Sequence, residues 1–236
     1  MVGIDGVVPG GYVLAGDEPA GRIESVLHAA SGDRLVIVRA FSRTNYLVGM
    51  ASDIGHSEHD ADMDLTWHRL AVPIETLLAR GTFRREMGRL VPDPHPHVWG
   101  AARPDSVVEA DLREDLKQDP LTRDGELVVR VSRGVAVLEG WTGTVGGKVV
   151  AERLARTTPG VWDAVNRVAS DEELIGALGP QLRTDPLVAA AVGAVAIKLG
   201  RVRVSLLLVK EVSPGRVEAL CRAVPGVRDV IVDRQV

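Results

Sequence analysis

The sequence predicts a multidomain α+β protein: a small N-terminal β-barrel followed by two copies of one αββαβ domain. Three observations predict it. First, the stretch 112–165 recurs. Asp119-Pro120-Leu121 returns as Asp185-Pro186-Leu187, Gly134 as Gly200, Leu154 as Leu220, Arg156 as Arg222, and Pro159-Gly160-Val161 as Pro225-Gly226-Val227, always 66 residues on. A constant offset without gaps is the mark of a repeated structural unit. Second, residues 1–88 hold short β-branched runs separated by Gly and Pro turns, the pattern of a small barrel or rolled sheet. Third, Pro92, Pro94, Pro96 and Pro104 punctuate 89–105. Proline removes amide donors and holds the preceding residue extended, so this stretch reads as a semi-rigid connector. The domain bounds that follow are 1–88, a connector at 89–105, then 106–169 and 170–236.

In the N-terminal part the expected strands are Val7–Val13, Arg22–His28, Leu35–Arg39, Tyr46–Met50 and His68–Pro73. Ala15–Gly21 reads as a turn and Ser31-Gly32-Asp33 as a hairpin loop, because Gly and Pro supply their special backbone angles. Ile74–Arg80 is a short helical turn ended by Gly81. Trp99 in the connector is expected to pack on a neighbouring domain.

The first copy opens on a capping box, Ser106-Val107-Val108-Glu109, whose serine can accept from an early amide. Val108, Leu112 and Leu116 are spaced by four and share one helix face. A strand over Leu127–Ser132 turns at Arg133-Gly134 and returns through Val135–Trp141. A helix at Lys148–Arg156 and a strand at Val161–Val168 follow. The second copy has a capping box at Ser170–Glu173 and a helix through Leu182 that Gly179-Pro180 should bend or split. Its strands fall at Val195–Leu199 and Val202–Val209, its second helix starts at Ser213-Pro214 with the serine as cap and the proline at the first helical position, and its last strand is Val227–Val232.

Composition excludes several functions. Net charge is -4 and evenly spread, with no basic face or tail, which argues against nucleic-acid binding. Cys221 is the single cysteine, so neither an intrachain disulfide nor a cysteine metal site is available. Met1–Gly10 lacks the basic start and apolar core of a signal peptide, and the longest apolar run, Leu187–Ile197, is too short for a transmembrane segment. A cytoplasmic location is expected, with peripheral membrane association as the variant. Thr142–Lys148 opens a helix after a strand as a phosphate loop does, but Thr142 stands where its first glycine belongs and Val149 where its Ser or Thr belongs. No nucleophile, base and acid form a persuasive set, and no cofactor is implied.

Two resemblances sharpen the picture. Asp17-Glu18-Pro19-Ala20-Gly21-Arg22-Ile23, a strand, a hairpin, a strand and the closing Leu70-Ala71-Val72-Pro73-Ile74 resemble the PRC-barrel family, which implies docking onto larger assemblies and no shared catalytic residues. Gly134-Val135-Ala136-Val137-Leu138-Glu139-Gly140, then a helix, then Pro159-Gly160-Val161-Trp162-Asp163-Ala164-Val165 resemble the BON domain. The second copy keeps Gly200 and Gly226-Val227-Arg228-Asp229-Val230 but has Leu206 where the second glycine belongs. The family glycines are thus Gly134, Gly140, Gly160, Gly200 and Gly226. BON domains are proposed to bind phospholipid surfaces or to mediate protein association.

The expected function is a non-enzymatic binding or scaffolding protein that self-associates or takes a protein partner, with a phospholipid- or envelope-associated stress module as the alternative. In the first copy Val135, Val137 and Trp141 share the face opposite the core face, so both faces are apolar and something must cover the second. That cover is either another domain of the same chain or a partner anchored on Trp141, with Trp162 as a further candidate. The remaining alternative is a metal-dependent enzyme. His56, His59, Asp60, Asp62, Asp64 and His68 have the right donor types for a divalent ion, yet an EF-hand loop fails because Leu65 and Ala71 replace its Gly and Glu. The competing reading is a solvated acidic loop between strands. His95 and His97 alternate with proline and lack a supporting shell.

Overall fold

The computed structural model describes residues 7–28, 30, 32–40, 45–93, 103–207 and 212–234. His95, His97 and Trp99 lie outside them. The chain divides into two compact units, Met1–Asp105 with Val131–Val135, and Ser106–Arg130 with Ala136–Val236. In total it is a mixed α and β structure of several sheets and helices.

The first unit carries β1 (Tyr12–Ala15), β2 (Glu18–His28), β3 (Arg34–Ala40), β4 (Asn45–Met50), a 3-10 turn (Ala51–Asp53), β5 (Ile54–Asp60), β6 (Leu65–Leu70), α1 (Ile74–Ala79), β7 (Thr82–Glu86) and β8 (Arg89–Pro92). They form one sheet in the order β5-β6-β1-β2-β3-β4-β7-β8, and β1 runs parallel to β6 while its other neighbour, β2, is antiparallel. Val13, Ala20, Ile23, Val36, Val38, Leu47 and Leu77 are buried together. At about 1.5–3 kcal/mol for each large aliphatic side chain removed from water, this cluster supplies the unit's main stabilisation. Gly21 lets β2 and β3 close up: a Cβ there would lie 2.5 Å from the Arg39 carbonyl. Buried Asp53 accepts from the Met50 amide at 2.6 Å and pairs with Arg80, tying the 3-10 turn to the end of α1. The Arg80 guanidinium holds its carboxyl below the usual carboxylate range.

Several elements depart from the sequence reading. The first strand begins at Tyr12 and not at Val7, and the turn before β2 shrinks to Gly16-Asp17. The acidic stretch 53–64 is no loop: β5 and β6 form a hairpin through it. Its strand character was hidden because β5 is exposed or half-buried after Ile54, leaving no apolar alternation to see. Arg89–Pro92, expected as connector, is an edge strand in which Pro92 closes the ladder opposite Phe83.

The next segment carries α2 (Asp105–Gln118), β9 (Glu126–Ser132), β10 (Val135–Thr142), α3 (Val145–Thr157), β11 (Asp163–Asn166) and β12 (Ala169–Ser170). It is followed by α4 (Asp171–Arg183), α5 (Pro186–Ala191), β13 (Val192–Lys198), β14 (Arg201–Leu206), α6 (Pro214–Arg222) and β15 (Asp229–Arg234). One sheet is β11-β10-β12 with β9 also on β10; the other is β13-β14-β15. The starts of α2 and α4, of β9 and β13, of β10 and β14, and of β11 and β15 all lie 66 residues apart. Buried positions keep the same step. Val108, Leu112 and Leu116 correspond to Leu174, Leu178 and Leu182, and Ala151 and Ala155 to Val217 and Cys221.

One brace recurs with the same step. The Asp105 carboxylate accepts the Arg133 and Gly134 amides at 2.6 and 2.8 Å, and Asp171 accepts those of Leu199 and Gly200 at 2.8 and 3.0 Å. Each pair forms a two-residue hairpin turn with both residues at positive φ, 50° and 71° in one and 49° and 74° in the other. Arg133 and Leu199 are unfavourable there, and the two charge-assisted bonds hold them.

Two helix starts and one helix interior differ from expectation. α2 begins at Asp105, one residue before the expected start at Ser106, and the Asp105 carboxylate faces the Arg133-Gly134 turn. Ser213 precedes α6 but makes no side-chain cap. α4 runs through Pro180 unbroken, held by the burial of Leu178 and Leu182 on either side. The Ser170 cap forms as read, accepting from the Glu173 amide at 3.3 Å.

Candidate interaction surfaces

Trp141 sits at the end of β10, and its surroundings come from the segment that follows. The indole Nε1 donates to the Gly226 carbonyl at 2.8 Å. The ring lies on Gly200, where a Cβ would fall 2.2 Å from Nε1, and the Arg228 guanidinium stacks 4.9 Å from the ring centre. Beside it Glu126 accepts from Arg201 at 3.0 Å and pairs with Arg228. The Arg228 bond, with the Arg201 charge behind it, holds the Glu126 carboxyl below the usual range. Lys148 pairs with Glu173 at 3.0 Å, and the Val145 amide donates to Glu172 at 2.8 Å. These contacts join β9, β10 and α3 to α4, β14 and the turn before β15. Trp141 therefore anchors an internal junction. Gly200 is required twice, by its positive φ and by the indole against it.

Val135 and Val137 are 0% and 1% exposed, and so are Ala136 and Leu138 between and after them. Both faces of this strand are covered, and neither valine presents a surface to a partner. Trp162 is half-buried. Gly134 and Gly200 occupy the hairpin turns, and Gly160 and Gly226 repeat a positive φ of 97° and 93° before β11 and β15. Gly140 has φ 110°, and a Cβ on it would strike the Glu126 carbonyl at 2.0 Å. Its counterpart Leu206 does not share the positive φ; it pairs with Val192, and the register shifts between Val192 and Ala194.

The His and Asp candidates do not converge. His56, His59, Asp62 and Asp64 are exposed, and His59 stands 3.8 Å from Asp64. His68 is fully buried on β6, with Nδ1 2.7 Å from Ser57 Oγ and Nε2 lacking a hydrogen-bond partner. Burial pushes its imidazole below the usual histidine range. Among the described residues no group of three His, Cys, Asp or Glu side chains is placed to hold a metal ion. Cys221 is buried, and burial pushes its thiol up, away from nucleophilic character.

A different surface stands out on β13. Its residues Gly193 to Ala196 are all exposed, and among the described residues it has a strand neighbour on one side alone. Val195 pairs with buried Val204 yet remains 37% exposed, whereas its counterpart Val129 on β9 is 2% exposed. Strand edges are usually blunted by charge. β9 carries Glu126 and Arg130; the same positions of β13 are Val192 and Ala196. Sequence reading missed Glu126, Arg201 and Arg228 because the 66-residue match puts Val192, and no acid, at the position of Glu126. It also passed over Asp105 and Asp171, although their 66-residue spacing was visible.

Residues 104–171 match the family model of the BON domain, a span that runs from α2 to the first residue of α4. Two similar solved structures are of CdsD, a structural protein of the type III secretion system of Chlamydia trachomatis. One, at 18% identity and a TM-score of 0.45, covers 56% of this chain and 63% of that one. The other, its C-terminal domain, has 18% identity and a TM-score of 0.46 and covers 56% of this chain and 67% of that one. The chain thus spans less than two thirds of the first CdsD structure. Comparison with curated proteins gives no match. Among the described residues no helix is long and apolar enough to cross a membrane.

Proposed function

We propose that this chain is a non-catalytic interaction protein that self-associates through β13. In this reading residues 170–236 are a second BON-type domain, in tandem with the first, and residues 1–88 are a PRC-barrel-like docking domain. The repeated step of helices, strands and Asp-braced turns supports the tandem. One observation carries the functional reading: β13 is an uncharged, apolar edge from Val192 to Ile197, while β9, its counterpart, is charged. The occupant is a second copy of the chain. Two β13 strands running antiparallel about Val195 set Ala194 of each copy against Ala196 of the other, small side chains that let the backbones meet. Such an isologous edge pairing is closed and makes a dimer.

Light scattering over a range of protein concentrations tests it. The wild-type chain is expected to be a dimer, and Ala196→Arg, which restores the charge found at Arg130, is expected to be monomeric with an unchanged circular dichroism spectrum. A wild-type monomer at high micromolar concentration overturns the reading, as does an equally dimeric Ala196→Arg. A monomer that binds anionic vesicles favours the phospholipid role implied by the family.

A further inference from the structure

A cavity of the first unit, about 430 Å³, opens on the β2-β3-β4 face and is lined by Gly10, Arg22, Ile23, Glu24, Arg39, Tyr46 and Arg85. Three of these are cations and one is an anion. Cavities of this size suit a small molecule.

The register explains why the cations gather. Tyr12 pairs with Arg22, Arg22 with Arg39, and Arg39 with Tyr46, so two arginines stand side by side across β2 and β3, between two tyrosines. Like charges directly opposite on neighbouring strands repel, and both arginines are half-buried.

Two of the guanidinium groups, those of Arg22 and Arg85, are also held in place. Arg22 donates through Nε to the Gly10 carbonyl at 3.2 Å and lies 5.4 Å from the centre of the Tyr12 ring. Arg85 pairs with Glu24 at 2.6 Å and lies 5.2 Å from the centre of the Tyr46 ring. Tyr12 and Tyr46 are themselves 1% and 9% exposed, so these supports are rigid. Planar, fixed guanidinium forks bind the oxygens of a phosphate group better than point charges do.

We propose that this cavity binds a phosphomonoester, with the dianionic phosphate bridging Arg22 and Arg39 and the rest of the molecule lying towards Tyr46. Glu24 limits affinity by its negative charge and keeps Arg85 out of the phosphate site. This site is separate from β13 and does not depend on the dimer.

Titration calorimetry of the full chain with inorganic phosphate and with glycerol 3-phosphate tests it. Both are expected to bind, with a dissociation constant in the millimolar range or tighter. Arg39→Gln should weaken binding about tenfold or more, which corresponds to one lost charge-assisted contact of about 1.4 kcal/mol. Arg39→Lys should recover part of it. Glu24→Gln should tighten binding several-fold, a gain that a damaged fold cannot produce. Vesicles of phosphatidylcholine with phosphatidic acid separate the two sources of the same group: co-sedimentation lost in Arg39→Gln means a lipid headgroup, and binding of the soluble ester alone means a free metabolite. No heat with either soluble probe and no vesicle binding overturns the proposal. So does binding unchanged in a folded Arg39→Gln, or weakened in Glu24→Gln.

Discussion

Removing the Trp141 indole should uncouple the segments on either side of it. The magnitude follows from what the ring touches. Trp141 is half-buried, so truncation to alanine exposes roughly 100 Å² of apolar surface out of the 150–250 Å² a tryptophan can bury, or about 2.5 kcal/mol at 25 cal/mol/Å². The hydrogen bond to the Gly226 carbonyl adds about 1 kcal/mol, and the Arg228 stacking about 0.5 kcal/mol at this half-exposed site. Trp141→Ala should therefore cost about 4 kcal/mol, and Trp141→Phe, which keeps most of the area and the ring face, about 1–1.5 kcal/mol. Hydrogen exchange read by mass spectrometry localises the effect. Amides of β13 and β14 should lose protection in Trp141→Ala while those of β2 and β3 do not, and urea unfolding of the C-terminal unit should lose cooperativity. Protection in β14 equal to wild type, with a stability change under about 0.5 kcal/mol, refutes the junction as a source of coupling.

Further outcomes follow from the braces and the titrating groups. Asp171→Ala removes two charge-assisted bonds and strands two turn amides, so urea unfolding should show a loss of about 3 kcal/mol, with Asp171→Asn losing about half of that. The Glu126 carboxyl is held low by Arg228, so its contribution is present above the ordinary glutamate value and is lost as pH falls through the lowered one. Exchange protection in β14 should fall on acidification in wild type and change less in Glu126→Gln. Burial holds His68 neutral, so its contribution is full above the ordinary histidine value and disappears as pH falls through the depressed one. Thermal unfolding of the full chain should show a melting point that drops in mild acid, and His68→Phe should flatten that drop.

Much of the fold was legible because alternation and spacing act locally. Val135–Trp141 reads as a strand from its pattern and becomes β10, and Val108, Leu112 and Leu116 read as one face and are buried as one. Where pattern failed, a tertiary cause had replaced the local one. Residues 54–60 form a strand with hardly any buried face, held by cross-strand pairing that a period-two search cannot register. Pro180 stays helical because leucines on both sides are buried, a fact that lies outside the sequence window.

The candidate surfaces were less legible, and the reason is instructive. Side chains that match across the 66-residue step, such as Asp105 with Asp171 and Gly134 with Gly200, do the same structural work in both places. They build turns and cores, and they say little about what distinguishes one segment from the other. The differences fall where the match breaks. Glu126 faces Val192 across the step, Arg130 faces Ala196, and Trp141 meets Gly200 in space. Glu126 and Trp141 bind the following segment, which uses up the first segment's polar edge and its indole. The second segment, lacking both, is left with an apolar strand edge that is exposed among the described residues. Broken matches in a repeated sequence are thus a better guide to binding surfaces than the motifs that repeat, and here they direct attention to β13.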